Sequence, residues 1–442
     1  MTPGIARLPP RTCPKLWHNI WARGNDCDRG YILAFIPQRV PTVCQNKGMA
    51  HNPVLYNLLC DRIRQSPHQR LPFADFMDLV LYHPQAGYYT AKGSGLGPDG
   101  DFVTSAHLGH DFGELLAVQL ADLWQLLGGP TCFDVVELGA GQGLVAADGL
   151  AYLAQHYPAC YQAIAYTIVE KSPVLRAVQR QNLGTWGDRV TWVNLEDLAD
   201  DSLTGCIFSN ELVDALPVHQ VVLTAAGLQE VYVTLGAGEP APLQEVVGDL
   251  SNPRLADYFD FIGVDLADPQ YGEGYRTEVH LAALDWMKTI AVKLHRGYVI
   301  TIDYGYPASR YYSRGRSQGT LQCYYQHAHH NDPYSHIGHQ DITAHVNFTA
   351  LERQGQQCGL QTVGVTQQGM FLMALGLGDR LNALAATQET DPVTVQRAIQ
   401  QRDRLHQLIS PMGLGNFMVL VQGKAVPDSA PLPQGLTVPP LI

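Results

Sequence analysis

The sequence is short of basic residues: 29 Lys and Arg stand against 41 Asp and Glu, a formal net charge of −12 over 442 residues. A protein that tracks a phosphate backbone carries the opposite balance, which argues against nucleic-acid binding. Charge of either sign is scarce, at 16% of the chain, while 46% is apolar, and a mainly disordered polymer has the reverse composition. No apolar run approaches the ~20 residues needed to cross a bilayer. The nine cysteines are odd in number and contain no Cys-x-x-Cys pair, so neither a zinc ribbon nor a disulfide framework is indicated. These absences read as a soluble protein of a reducing compartment; the lack of a signal peptide favours the cytoplasm, with an organelle as the alternative given the basic start.

Residues 1–48 differ from the rest, with seven Lys or Arg, two Asp and no sustained helical or strand period. They are expected to be a disordered or non-native extension. Asn52 as N-cap, Pro53 at the first helical position and Leu55, Leu58, Leu59 and Ile63 on one face then open a helix. Residues 49–127 read as a helical segment whose Gly-rich loop (87–105) connects helices or covers a site. From 128 to 424, short apolar runs at 133–138, 164–169, 190–193, 206–209 and 298–302 alternate with helical segments near 144–156, 172–183 and 280–295. That alternation predicts an α/β fold with a doubly wound, mostly parallel sheet. Interruptions at about 222–279 and 306–355 are too long for turns and are expected to add a lobe. A strand (361–366), a long helix (391–409), a last strand (417–422) and a tail (425–442) follow.

Glu137-Leu-Gly139-Ala-Gly141-Gln-Gly143 stands between a strand and a helix, where glycine lets a ligand approach main-chain N–H groups. The dinucleotide form needs its third glycine one residue later. Glu137 would repel a pyrophosphate and suits a cationic head, such as the ammonium of S-adenosyl-L-methionine. Glu170 ends the next strand, where a carboxylate can accept both ribose hydroxyls. The segment after the third strand, with Leu195, is placed beside the adenine.

Past the fourth strand stand Asn210, Glu211 and Asp214. The two acids share a face if the segment is helical, and paired carboxylates can hold a guanidinium. They would orient one nitrogen toward the methyl group and dissipate its proton. No Pro-Pro-aromatic follows Asn210, which counts against adenine and glutamine methylases. Asp303, ending the fifth strand, either lines the acceptor pocket or fixes the turn before Gly305. Histidines crowd positions 327–345 without a standard zinc spacing, so no metal is expected.

With these residues in hand, the chain resembles the MidA family of S-adenosylmethionine-dependent methyltransferases over about 52–424. The blocks that carry the resemblance are FADFMDLVLYHPQAGYY (73–89), GDFVTS (100–105), ELGAGQG (137–143), VEKSPVLRAVQ (169–179), NELVDALPV (210–218), ITIDYG (300–305), GTLQCYYQH (319–327) and DITAHVNFTAL (341–351). The resemblance implies a Rossmann-like class I methyltransferase with a seven-stranded sheet, N-terminal helices and inserted segments. It also implies symmetric dimethylation of a protein arginine in a respiratory complex I subunit. Carried over by position, Glu137, Gly139, Gly141 and Glu170 would bind the cofactor and Asn210, Glu211 and Asp214 would border the acceptor; Gly143, Leu195 and Asn210 are assigned to the cofactor as well. Glu211 and Asp214 would be catalytic, and Asp101, Thr104 and Asp303 would border the acceptor. Two departures stand out: Ala106-His107 where the family has Pro-Glu, and Ala140 and Gln142 where Pro and Arg are common. A small-molecule methyltransferase and a cofactor-binding assembly chaperone remain alternatives.

Overall fold

The computed structural model describes residues 51–91, 104–386, 391–427 and 429–439. The chain divides into Met1–Gly48 and Met49–Ile442. The first unit, the 92–103 part of the Gly-rich loop and Asp101 lie outside the described residues.

Asn52 caps the first helix, Pro53–Gln65, by accepting from Val54 and Leu55 N–H. Strand β1 (Arg70–Pro72) leads into the helix Phe73–Tyr82, which ends at His83 before Pro84. After the helix Asp111–Leu126 come the strands β2 (Phe133–Leu138), β3 (Ile164–Val169), β4 (Val190–Val193) and β5 (Leu203–Asn210). Helices Leu144–His156 and Pro173–Leu183 connect the first three, the second capped by Ser172. Strands β6 (His219–Thr224), β7 (Gly227–Leu235), β8 (Leu243–Gly248) and β9 (Arg276–Val279) precede the helix Leu281–Lys293 and β10 (Leu294–Asp303). Short strands β11 (Gly305–Tyr306), β12 (Gln322–Tyr325), β13 (Ala328–His330), β14 (Asp341–Thr343) and β15 (Val346–Asn347) come next. β16 (Gln361–Gln367) and β17 (Met418–Lys424) close the set.

The central sheet has seven strands in the order β16-β17-β10-β5-β2-β3-β4. Only β17 runs against the others, paired antiparallel with both β10 and β16. Both faces are covered, which is why the strands read as continuous apolar runs rather than alternating ones. Val135, Cys206, Phe208 and Ile300 pack on one face with helix Asp111–Leu126. Their neighbours Val136, Ile207 and Val299 pack on the other with helices Leu281–Lys293 and Phe348–Gln357. One period-two step thus separates two cores.

The two expected insertions take different forms. Residues 219–279 build an antiparallel sheet, β1-β7-β6-β9 with β8 on β7, which recruits β1 from the N-terminal segment. Residues 305–357 supply β11–β15 and the helix Phe348–Gln357. Leu55, Leu59 and Phe76 of the N-terminal helices share one core with Val218, which precedes β6, and with Val233 and Ile342 of the inserted segments.

Candidate active site

The carboxyl ends of β2, β3, β5 and β10 open into one cavity of about 490 Å³, bordered by Glu137, Glu170, Asn210 and Tyr304. This is the edge where open parallel sheets bind ligands, at the point where the chain reverses its winding direction between β2 and β5.

After β2 the chain turns through Gly139 (φ +68°), Gly141 (+53°) and Gly143 (+78°), all in the left-handed region. A Cβ on Gly139 would stand 2.7 Å from Leu212 Cδ1, so the loop and the 211–214 turn are in contact. Gly139 and Gly141 line the cavity. Gly143 does not: it caps the helix Leu144–His156 and lies against Gln179, 3.2 Å from where its Cβ would be. Its glycine serves the turn rather than a ligand.

Glu137 accepts from the Tyr166 hydroxyl at 2.7 Å, and burial pushes its carboxyl up to about 7. Glu170 accepts from Ser172 N–H (2.8 Å) and from Gln179 Nε2 (3.2 Å). Gln179 also donates to Gly141 O (3.0 Å) and accepts from Trp192 Nε1 (2.9 Å), so it ties the glycine loop to Glu170. The sequence reading missed Gln179, and only its place one helical face beyond Glu170 could have signalled it. Leu195 is a correction: it packs against the core with Val193 and Leu198 and is not among the cavity-lining residues.

The β5 exit is not helical across both acids. Glu211 sits at φ +52°, and only Val213–Ala215 form a single 3₁₀ turn. A non-glycine residue held there is strained by about 1 kcal/mol and persists because its surroundings over-determine it. Its N–H donates to Ile302 O (2.9 Å), and its Oε1 accepts from Ser105 N–H and Asn210 Nδ2, both at 3.0 Å. Asn210 Oδ1 is buried with no hydrogen-bond partner among the described residues. Burial pushes Glu211 up to about 7 and Asp214 up to about 6, the latter against the pull of the Tyr304 hydroxyl.

Asp303 is the second correction. It is fully buried beneath the site, not on the cavity wall, and accepts from Val213 N–H (2.9 Å), Asp214 N–H (3.2 Å) and its neighbour Tyr304 N–H. Burial and the nearby Asp214 and Glu211 charges hold its carboxyl far above the usual range. It fixes the turn that presents the two acids.

Thr104 lines the cavity, and its hydroxyl bonds His107 Nδ1 at 2.9 Å. Burial lowers His107, opposed by the hydrogen bond it gives to the Gln142 side chain. The two departures from the family pattern therefore touch each other. The cavity is also lined by residues the sequence reading did not assign: Tyr82, Tyr89, Tyr324 and Asp341. Asp341 accepts from Tyr89 OH (2.7 Å) across 252 residues of chain. Burial, reinforced by Asp214, Asp341 and Glu211, pushes Tyr324 up to about 12. No Lys or Arg lines the cavity among the described residues. No His, Cys, Asp and Glu grouping there could hold a metal.

Residues 115–366 match the family model of S-adenosyl-L-methionine-dependent methyltransferases. The chain belongs to this family. The mitochondrial protein arginine methyltransferase NDUFAF7 homolog of Drosophila melanogaster is 27% identical over 377 residues, 79% of this chain and 81% of that one. Protein arginine methyltransferase NDUFAF7 of Rattus norvegicus is 29% identical over 371 residues, covering 77% and 78%. A superfamily member from Burkholderia thailandensis, solved bound to S-adenosyl-homocysteine, is 31% identical with a TM-score of 0.74, over 87% of this chain and 96% of that one.

The methyltransferase uses S-adenosyl-L-methionine, and its own residues fit that cofactor. The cavity is large enough for a nucleoside with an amino-acid arm. Its glycine-loop side offers acceptors, the Glu137 carboxyl and the unpartnered Asn210 Oδ1, suited to an ammonium. Glu170 faces the same space with its carboxylate already oriented by two donors. Among the described residues, no helix of the methyltransferase is long and apolar enough to cross a membrane.

Proposed function

We propose that the methyl acceptor is an arginine side chain of a protein, dimethylated symmetrically, and that this protein is a subunit of a complex I-type NADH dehydrogenase. The observation that carries the arginine is the acid cluster. Glu211, Asp214 and Asp341 border a cavity with no lining cation among the described residues, and Asp303 lies beneath them. Carboxyls raised to about 7 and about 6 mark a place built to meet a positive charge. A guanidinium supplies a permanent charge and five N–H donors in a plane that matches paired carboxylates. The names of the fly and rat relatives, mitochondrial protein arginine methyltransferases, support the same acceptor. For this chain we place the reaction in the cytoplasm, or the matrix where the cell is eukaryotic.

The residues then divide as follows. Glu137 and Asn210 receive the cofactor's ammonium, the Gly139–Gly141 backbone carries its chain, and Glu170 accepts the ribose hydroxyls. When bound, S-adenosyl-L-methionine supplies an electrophilic methyl group on a sulfonium. Glu211 and Asp214 accept guanidinium N–H groups, fix its plane and take up the proton the attacked nitrogen releases. Thr104, next to the Ser105 N–H that holds Glu211, borders the acceptor.

The test supplies methyl-tritiated S-adenosyl-L-methionine and the purified chain to lysate of cells lacking the gene, followed by hydrolysis of the labelled band. Symmetric dimethylarginine is the expected product. Intact cofactor binding with label only in small molecules, or in nothing, would overturn the reading.

A further inference from the structure

The segment from Tyr304 to Asn331 contains no Asp or Glu, in a chain where 41 of 442 residues are acidic. It holds instead Arg310, Arg314 and Arg316. Arg310 and Arg314 are exposed and Arg316 is half-buried. None of the three joins an ion pair among the described residues. Two of them are anchored at the cavity. The Arg310 and Arg316 guanidiniums lie 4.5 and 4.1 Å from the centroid of the Tyr306 ring, which itself stacks on His345 at 5.2 Å. Tyr306 and His345 both line the cavity. Arg316 also donates to Ser313 Oγ (3.3 Å) and to the Arg310 carbonyl, which sets the turn that carries the basic residues.

The site thus has opposite charges at two depths, acids inside and uncompensated guanidiniums at the rim. In a chain of net charge −12, an acid-free patch of unpaired arginines attracts an acidic partner that most of the surface does not, which favours both that partner and its orientation. We propose that this rim docks an acidic stretch of the acceptor protein, flanking the side chain that enters the cavity. The inference rests on the reading that the acceptor is a protein arginine.

The experiment measures binding of short fluorescein-labelled peptides to the full chain saturated with S-adenosylhomocysteine. Each has one central arginine, flanked on both sides by Glu in one peptide and by Gln in the other. A third keeps the Glu flanks and replaces arginine by citrulline. The Glu-flanked peptide is expected to bind about tenfold tighter than the Gln-flanked one, the scale of two exposed charge pairs. That preference should shrink as salt rises and vanish in Arg310→Glu and Arg314→Glu. Equal affinity for Glu and Gln flanks, including no binding of either, or a preference that survives the charge reversals, overturns the inference. The citrulline peptide reads the other question. If it binds as well as its arginine counterpart, the arginine reading fails while the flank comparison still decides the rim.

Discussion

Replacing Glu211 by Gln should make the protein more stable above neutral pH while removing its reaction. In the folded chain the Glu211 carboxyl sits near 7, against an ordinary value of 4.5, because burial penalises its charge and Asp214 adds to the penalty. The folded state therefore holds that proton more tightly than the unfolded one. The associated stability is fully present below pH 4.5 and is lost as pH rises through 7. A shift of this size corresponds to about 3 kcal/mol once the group is ionised, at roughly 1.4 kcal/mol for each tenfold change in proton affinity, with some relief because the side chain borders the cavity. Gln keeps an oxygen to accept from Ser105 N–H but carries no charge to bury. Thermal unfolding without cofactor at pH 5 and at pH 8.5 separates the terms. The Gln variant should match the wild type at the lower pH and melt a few degrees higher at the upper. A variant less stable than wild type at pH 8.5, or offset equally at both, would refute the argument that this acid is held against its own desolvation.

Further outcomes follow from the same geometry. Methyl transfer should rise with pH and level off above about 7 to 8, as Asp214 and Glu211 ionise, and a flat profile from pH 5.5 to 8.5 would contradict their role. Glu170→Ala should weaken S-adenosylhomocysteine binding roughly 10- to 100-fold by calorimetry, the loss of two charge-assisted hydrogen bonds. Asp303→Ala leaves Val213 and Asp214 N–H without their acceptor, so it should cost about 2–3 kcal/mol in denaturant unfolding and most of the activity, although Asp303 is not on the cavity wall. Gly139→Ala forces a left-handed alanine against Leu212, and should lower both stability and cofactor affinity by at least about 1 kcal/mol each.

Much of the frame is legible because its signals are local. Asn52 announces a helix start by side-chain capping and accepts the expected backbone N–H groups, and Ser172 and Asp391 cap their helices in the same way. Strands β2, β3 and β5 stand out as unbroken apolar runs because each side of the sheet is covered. What stayed hidden depends on distant chain. β1 is only three residues long and is a strand because β7 receives it. The Tyr89–Asp341 bond and the Gln179 bridge to Gly141 obey no spacing rule, so no window of sequence contains them. Side-chain direction also escaped the sequence. Asp303 ends its strand as expected yet points beneath the site, and Leu195 follows its strand as expected yet lies half-buried against the core. The spacing of Glu211 and Asp214 suggested a shared helical face. A left-handed residue and one 3₁₀ turn bring both to the cavity instead.

The central claim is that Glu211 and Asp214 hold a protein guanidinium beside the cofactor. Its most direct measurement is the rate of tritium transfer into protein arginine by Glu211→Gln and Asp214→Asn, with S-adenosylhomocysteine affinity determined in parallel. The account predicts rates at least about 100-fold below wild type for each variant, the scale of a lost charged contact to the reacting group, with cofactor affinity within about threefold. Wild-type rates in both variants, at unchanged cofactor affinity, would contradict it.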